Sequence, residues 1–190
     1  MLPWEHAAVG YIGYSLFVHA LYRDSPTGLE AVVVVFASVL PDLIDKPLAW
    51  EFGVFPSGYA LGHSILFAVP FSLAVGALAA RRGGPRIGWA FGIGYLLHLP
   101  ADVIPIYLQG GGVPIERILW PIRVTRGNPY AGFWDGVDTH IDRHPEVMTW
   151  PPASTYEAVV FGLLAGGLLL WIVDGMPVLK ESLQVLVGRR

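Results

Sequence analysis

Six ionisable side chains stand in or beside apolar stretches of this chain: His6, Asp42, Asp45, His63, His98 and Asp102. Ionisable groups inside a membrane are costly and tend to mark a site. Imidazole and carboxylate are the nitrogen and oxygen donors of divalent metals. Imidazole suits Zn, Fe or Mn, and carboxylates shift the balance toward Mn, Mg or a two-metal site. The sequence holds no cysteine, which excludes disulfides, thiolate metal sites and a cysteine nucleophile. His98 and Asp102 are four apart and share one helix face. Asp42 and Asp45 fall near the end of an apolar segment, where the dipole of a helix disfavours anions. Some cation or donor must compensate there, and Lys46 is placed to pair with Asp45. Each residue also has a plainer reading. His6 or His63 alone would serve as a capping or interfacial residue, and a His98–Asp102 hydrogen bond could merely orient a helix. A proton or ion pathway uses the same groups, but only His19 continues toward the opposite end.

The elements that must position these residues are membrane helices. The chain is 54% hydrophobic and 14% charged, whereas soluble domains run near a quarter charged. Its mean hydropathy is +0.53. The net charge of −3 gives no basic footprint for a nucleic acid. A spanning helix needs about 20 mostly apolar residues, and five segments qualify: 3–22, 29–47, 59–80, 87–107 and 156–176. The expected fold is an all-α integral membrane bundle of about five transmembrane helices. It forms one domain over 1–190, with a long outer loop at 108–155 between helices four and five. Cytoplasmic loops are enriched in Lys and Arg, so Arg81, Arg82 and Arg86 place their loop inside. The N-terminus is then outside and the C-terminus cytoplasmic, in the cell membrane. Alternating topology brings all six polar residues to one depth. At the helical rise per residue they lie about 5–12 Å below the outer boundary.

The motifs around these residues resemble those of the YdjM-like family of membrane-bound metal-dependent hydrolases, distantly similar to zinc-dependent phospholipase C. The resemblance covers roughly the first 105 residues. It rests on His6, on Leu40-Pro41-Asp42, on Gly62-His63-Ser64, and on Gly94-Tyr95 followed by His98 and Asp102. Three features depart from the family pattern. The second acidic residue, Asp45, is three rather than two after Asp42. Gly58 and Tyr59 stand where the family often has a His-Arg pair. Pro105 occupies the region of a frequent Thr. The resemblance implies a divalent metal, zinc first and Mn, Fe or Mg otherwise. His6, Asp42, His63, His98 and Asp102 would be ligands or their supports, with Asp45 a ligand or the general base. It also implies hydrolysis of a phosphoester or lipid-like substrate at the outer membrane interface. The alternative is a non-catalytic membrane scaffold whose His/Asp cluster is structural. The outer segment from Trp134 to His144 adds three Asp and two His. As a lid it would offer His140 or His144 to complete a metal shell or bind substrate; otherwise it is a solvated polar loop.

Overall fold

The computed structural model describes residues 1–127, 130–142, 152 and 154–188. Among these residues the chain is all-helical, without a strand. Its helices are α1 Pro3–Tyr22, α2 Gly28–Trp50, α3 Ile65–Arg81, α4 Pro85–Leu108, α5 Phe133–Asp142, α6 Thr155–Val173 and α7 Leu179–Leu186. A single 3-10 turn, Ile115–Arg117, lies in the segment after α4. Local sequence explains several starts. Proline opens α1 and α4, where its missing N–H costs nothing. Thr27 and Glu30 form a capping box at the start of α2: the Thr27 hydroxyl accepts from Glu30 N at 3.3 Å, and Glu30 Oε2 accepts from Thr27 N at 3.0 Å.

α4 is the centre of the bundle, packed by α1, α2 and α3; α1 also packs on α2, and α6 lies against the outer side of α1. Small residues let the central helices approach closely, as helices packed in lipid do. A Cβ at Gly94 of α4 would lie 2.5 Å from the Val34 carbonyl oxygen of α2, and one at Gly10 of α1 would overlap the Ser38 hydroxyl. This three-helix contact sits one helical turn from His98.

Beside an apolar core, the bundle buries ionisable groups and exposes apolar ones. Buried within it are Glu5, His6, Glu30, Asp42, Asp45, His63, His98 and Asp102. Its outer surface carries Leu29, Val32, Phe36, Leu43, Leu66, Leu73, Leu168 and Val173. Such an apolar exterior is suited to lipid. Among the described residues, length and apolarity alone mark two helices as long enough to cross a membrane, Pro85–Tyr107 and Thr155–Val173, against the five expected. Two of the others fall short for physical reasons. α3 is apolar but has only 17 residues, because Tyr59–Ser64 is drawn into the loop before it. α2 carries Glu30, Asp42, Asp45 and Lys46 on its inward side.

The two ends of the bundle are tied differently. At one end Arg86 bonds Asp24 at 2.7 Å, Glu30 at 2.9 Å and the Ser25 carbonyl at 3.0 Å. The hydrogen bond from Arg86 holds the exposed Asp24 carboxyl below the usual carboxylate range. Close to it, Asp174 accepts from Tyr11 at 2.7 Å and Ser15 at 2.8 Å and pairs with His19 at 2.6 Å, fastening α6 to α1. His19 is thirteen residues from His6 on the same helix, about 20 Å along its axis.

Candidate metal centre

Four elements converge at the other end. α1 brings His6, α2 brings Asp42 and Asp45, the turn before α3 brings His63, and α4 brings His98 and Asp102. One ligand atom from each of Asp42, His63, His98 and Asp102 lies within 4.8 Å of all the others, and all four residues are buried. His63 Nε2 is 3.0 Å from His98 Nε2, 3.4 Å from Asp42 Oδ1 and 3.4 Å from Asp102 Oδ2. His98 Nε2 is 3.5 Å from Asp102 Oδ2 and 3.9 Å from Asp42 Oδ1. Tetrahedral ligands at zinc-like bond lengths are separated by about 3.3 Å. The five separations scatter around that value.

The tautomers follow from the partners. His98 Nδ1 lies 2.6 Å from the Ser38 carbonyl oxygen, which can only accept, so Nδ1 carries the proton. His63 Nδ1 lies 2.8 Å from Asp45 Oδ2 and is likewise the donor. With both rings neutral, the two Nε2 atoms turn lone pairs toward the same point, 3.0 Å apart, and either a proton or a cation between them satisfies both. Two facing lone pairs repel unless a positive centre lies between them. Asp42 Oδ1 is buried without a hydrogen-bond partner, and an unsatisfied buried carboxylate oxygen is costly. The donor set, the separations and the unsatisfied oxygen all fit a divalent cation.

Asp45, expected as a ligand or the general base, is not among the four converging residues, and its carboxylate accepts four hydrogen bonds. Oδ2 accepts from Ala60 N at 2.7 Å, His63 N at 3.1 Å and His63 Nδ1, while Oδ1 accepts from Gly62 N at 2.8 Å. These four bonds hold Asp45 to the 60–63 turn, outside the group of four whose ligand atoms converge. Asp45 instead shapes the 60–63 turn and sets the His63 ring, as carboxylates behind metal-binding histidines do. Gly62 is required in that turn, because a Cβ there would come within 2.9 Å of the Pro41 carbonyl oxygen. Tyr95 completes the anchor by donating to the Gly62 carbonyl at 2.8 Å. The expected Lys46 partner also changes. Lys46 pairs with Asp42 at 2.7 Å, one helical turn away, and not with Asp45.

His6 lies outside the group of four. Its ring stacks on His98 at 3.8 Å between centroids, and its Nε2 is 3.2 Å from Asp102 Oδ1. The Met1 amino group lies 3.0 Å from that same oxygen. Asp102 thus keeps Oδ1 for His6 and the amino group and turns Oδ2 to the cluster.

Asp102 also forms part of the wall of a cavity of about 450 Å³. Lys46, Arg117 and Arg126 supply three cations to that wall, and Thr125 a buried hydroxyl with no hydrogen-bond partner. Arg117 donates to the Tyr59 hydroxyl at 3.2 Å and lies over its ring. Burial pushes the Tyr59 hydroxyl well above its ordinary pKa, so at neutral pH it remains a donor. The polar segment after Trp134 forms α5. It brings His140 to the cavity wall, with Nε2 3.3 Å from the Met1 carbonyl, and not into the group of four. His144, Arg143, Trp150, Arg189 and Arg190 lie outside the described residues. Arg117 and Arg126 belong to no motif in the sequence. Their signal was position, two cations on the side of the chain that holds the His/Asp cluster.

The chain matches the YdjM inner membrane protein family over residues 1–176. It is a member of that family. No curated protein and no solved structure matches it. Membership in a family of inner membrane proteins agrees with the apolar exterior and with the two helices that are long and apolar enough to cross a bilayer. The four converging residues fall in the matched span, as do α6 and the cavity-lining cations.

Proposed function

We propose that this protein is a metal-dependent hydrolase of anionic phosphoesters, working at the outer interface of the inner membrane. The observation that carries the reading is a buried group of two Asp and two His, with ligand atoms within 4.8 Å of one another, beside a cavity walled by three cations. When bound, the metal would lower the pKa of a water and polarise the scissile group. Asp42, His63, His98 and Asp102 would hold it, with zinc the first expectation and Mn, Fe or Mg the alternatives. Asp45 and the Ser38 carbonyl hold the two imidazoles so that each offers Nε2. Lys46 offsets the charge of Asp42 and, with Arg117 and Arg126, would draw an anion onto the cluster. Tyr59 and Thr125 would donate to its oxygens.

The same reading places the whole chain in the bilayer as one domain. α1, α2, α3, α4 and α6 are the five spans, and Arg81–Arg86 is the cytoplasmic turn. The N-terminus is outside and the C-terminus inside. α2 spans despite its charges because they face the protein interior, where ionisable residues of membrane helices belong.

A structural reading has one observation in its favour: the cluster side chains also contact one another at 3.0–3.9 Å, which could tie the helices without a metal. Metal analysis of the purified full-length protein, with turnover of bis(p-nitrophenyl) phosphate, separates the two. A hydrolase carries stoichiometric metal, and a chelator removes its turnover until metal is restored. Absence of metal at stoichiometry overturns the reading and leaves the scaffold.

A further inference from the structure

Beside the cationic cavity lies a second one of different character. It is a groove of about 200 Å³ between α4 and α6, with walls that include Leu97, Ile104, Val160 and Leu163. Its lining is almost wholly apolar, and it shares Met1, Pro105 and Tyr156 with the cationic cavity. The groove exists because α6 packs along α1, with no comparable contact to α4 among the described residues. Ile104 and Val159 on its rims are half exposed, at 51% and 44%. Its two walls, α4 and α6, are the helices that are long and apolar enough to cross a bilayer. Whatever fills an apolar gap between two such helices comes from the hydrocarbon phase.

Resting on the hydrolase reading, we infer that the substrate is an anionic amphiphile whose phosphate occupies the cationic cavity while its hydrocarbon chain lies in the α4–α6 groove. Charge complementarity fixes the head end, through Lys46, Arg117 and Arg126. The two spaces adjoin at Met1, Pro105 and Tyr156, which line both, and a chain leaving the head end there meets the groove. A short phosphoester would fill the cavity alone and leave the groove to bulk lipid. A single-chain phosphate monoester fills both, and burial of the chain adds about 0.8 kcal/mol per methylene relative to water. Within a bilayer most of that gain is already present. The groove therefore acts chiefly by orienting the chain, so that the phosphate arrives over Asp102.

The test uses the full-length, metal-loaded protein in phosphatidylcholine nanodiscs. The probe is hexadecyl phosphate with a photoactivatable diazirine in mid-chain, and phenyl phosphate is the short comparator. The expected result is cross-linking confined to peptides carrying Leu97–Pro105 and Val159–Leu163. Leu163→Trp, which fills the groove from α6 and bears no proposed metal ligand, should cut that labelling at least tenfold. It should leave metal content and the competing effect of phenyl phosphate unchanged. Should Leu163→Trp lose its metal through misfolding, Val159→Trp on the same wall is read the same way. Labelling spread evenly over the outer surface, or undiminished in a metal-loaded groove variant, overturns the inference. Groove labelling without turnover of either phosphoester supports the amphiphile site and removes the hydrolase reading, so the two failures are distinguishable.

Discussion

Asp45→Asn is the sharpest perturbation of the centre, because it changes no shape and removes no proposed ligand. The side-chain carbonyl oxygen of Asn can take the place of Oδ2 and keep the bonds from Ala60 N, His63 N and His63 Nδ1. Its amide nitrogen then faces Gly62 N, whose present bond to Oδ1 is 2.8 Å long. Donor meets donor, and Gly62 N–H is left buried without an acceptor, a cost of about 1–3 kcal/mol. The flipped amide is worse, since it abandons the three bonds to Oδ2. The 60–63 turn must shift, and the His63 ring with it. Loss of a carboxylate behind a metal-binding histidine lowers metal affinity about 10- to 100-fold, which is about 1.4–2.8 kcal/mol. A competition titration against a chromogenic chelator, on purified protein in detergent, measures this directly. Unchanged affinity would refute the orienting role. Full metal occupancy with abolished turnover would also refute it, and would restore Asp45 as a general base.

His98→Ala should remove bound metal, whereas His19→Ala should not, because His19 pairs with Asp174 at the far end of α1; equal loss from both would place the site wrongly. Gly94→Ala would press a Cβ against the Val34 carbonyl, costing about 1–3 kcal/mol of stability. It should also weaken metal binding by moving His98 off Ser38, and a thermal melt paired with metal analysis reads both. For topology, an impermeant thiol reagent applied from outside should label Val54→Cys in the α2–α3 loop and miss Arg82→Cys after α3, and the reverse pattern would invert the orientation.

What was legible in the sequence followed from local rules. His98 and Asp102 are one helical turn apart on a helix with no charge in its apolar middle, so their shared face could be read without a structure. Asp42 was conspicuous because a carboxylate near a helix C-terminus in an apolar segment demands compensation, and Lys46 supplies it one turn later. The same periodicity puts Asp45 on one face with Asp42. Both flank the same His63 ring, Asp42 at Nε2 and Asp45 at Nδ1, and the difference in their roles is invisible until the 60–63 turn is seen to offer Asp45 three backbone N–H groups. The Tyr59–Ser64 segment was expected to be helical from its apolar character. Its true path is set by contacts distant in sequence, from Asp45 and from Tyr95, and no local propensity encodes them. The same holds for α5, where Gly136 lets the helix lie directly on the Trp50 ring and brings His140 over the cavity. Arg117 and Arg126 lie in a segment without periodicity, so only tertiary structure could bring them to one wall with Lys46. Residues whose position depends on one helix were therefore readable, and those whose position depends on a loop meeting a helix were not. The proposed ligand group belongs mainly to the first class and the cavity that would bind substrate to the second. That division is why the metal expectation could be stated residue by residue, while a phosphoester or lipid-like substrate came only from the family resemblance, with no residue to bind it until the cavity and the groove.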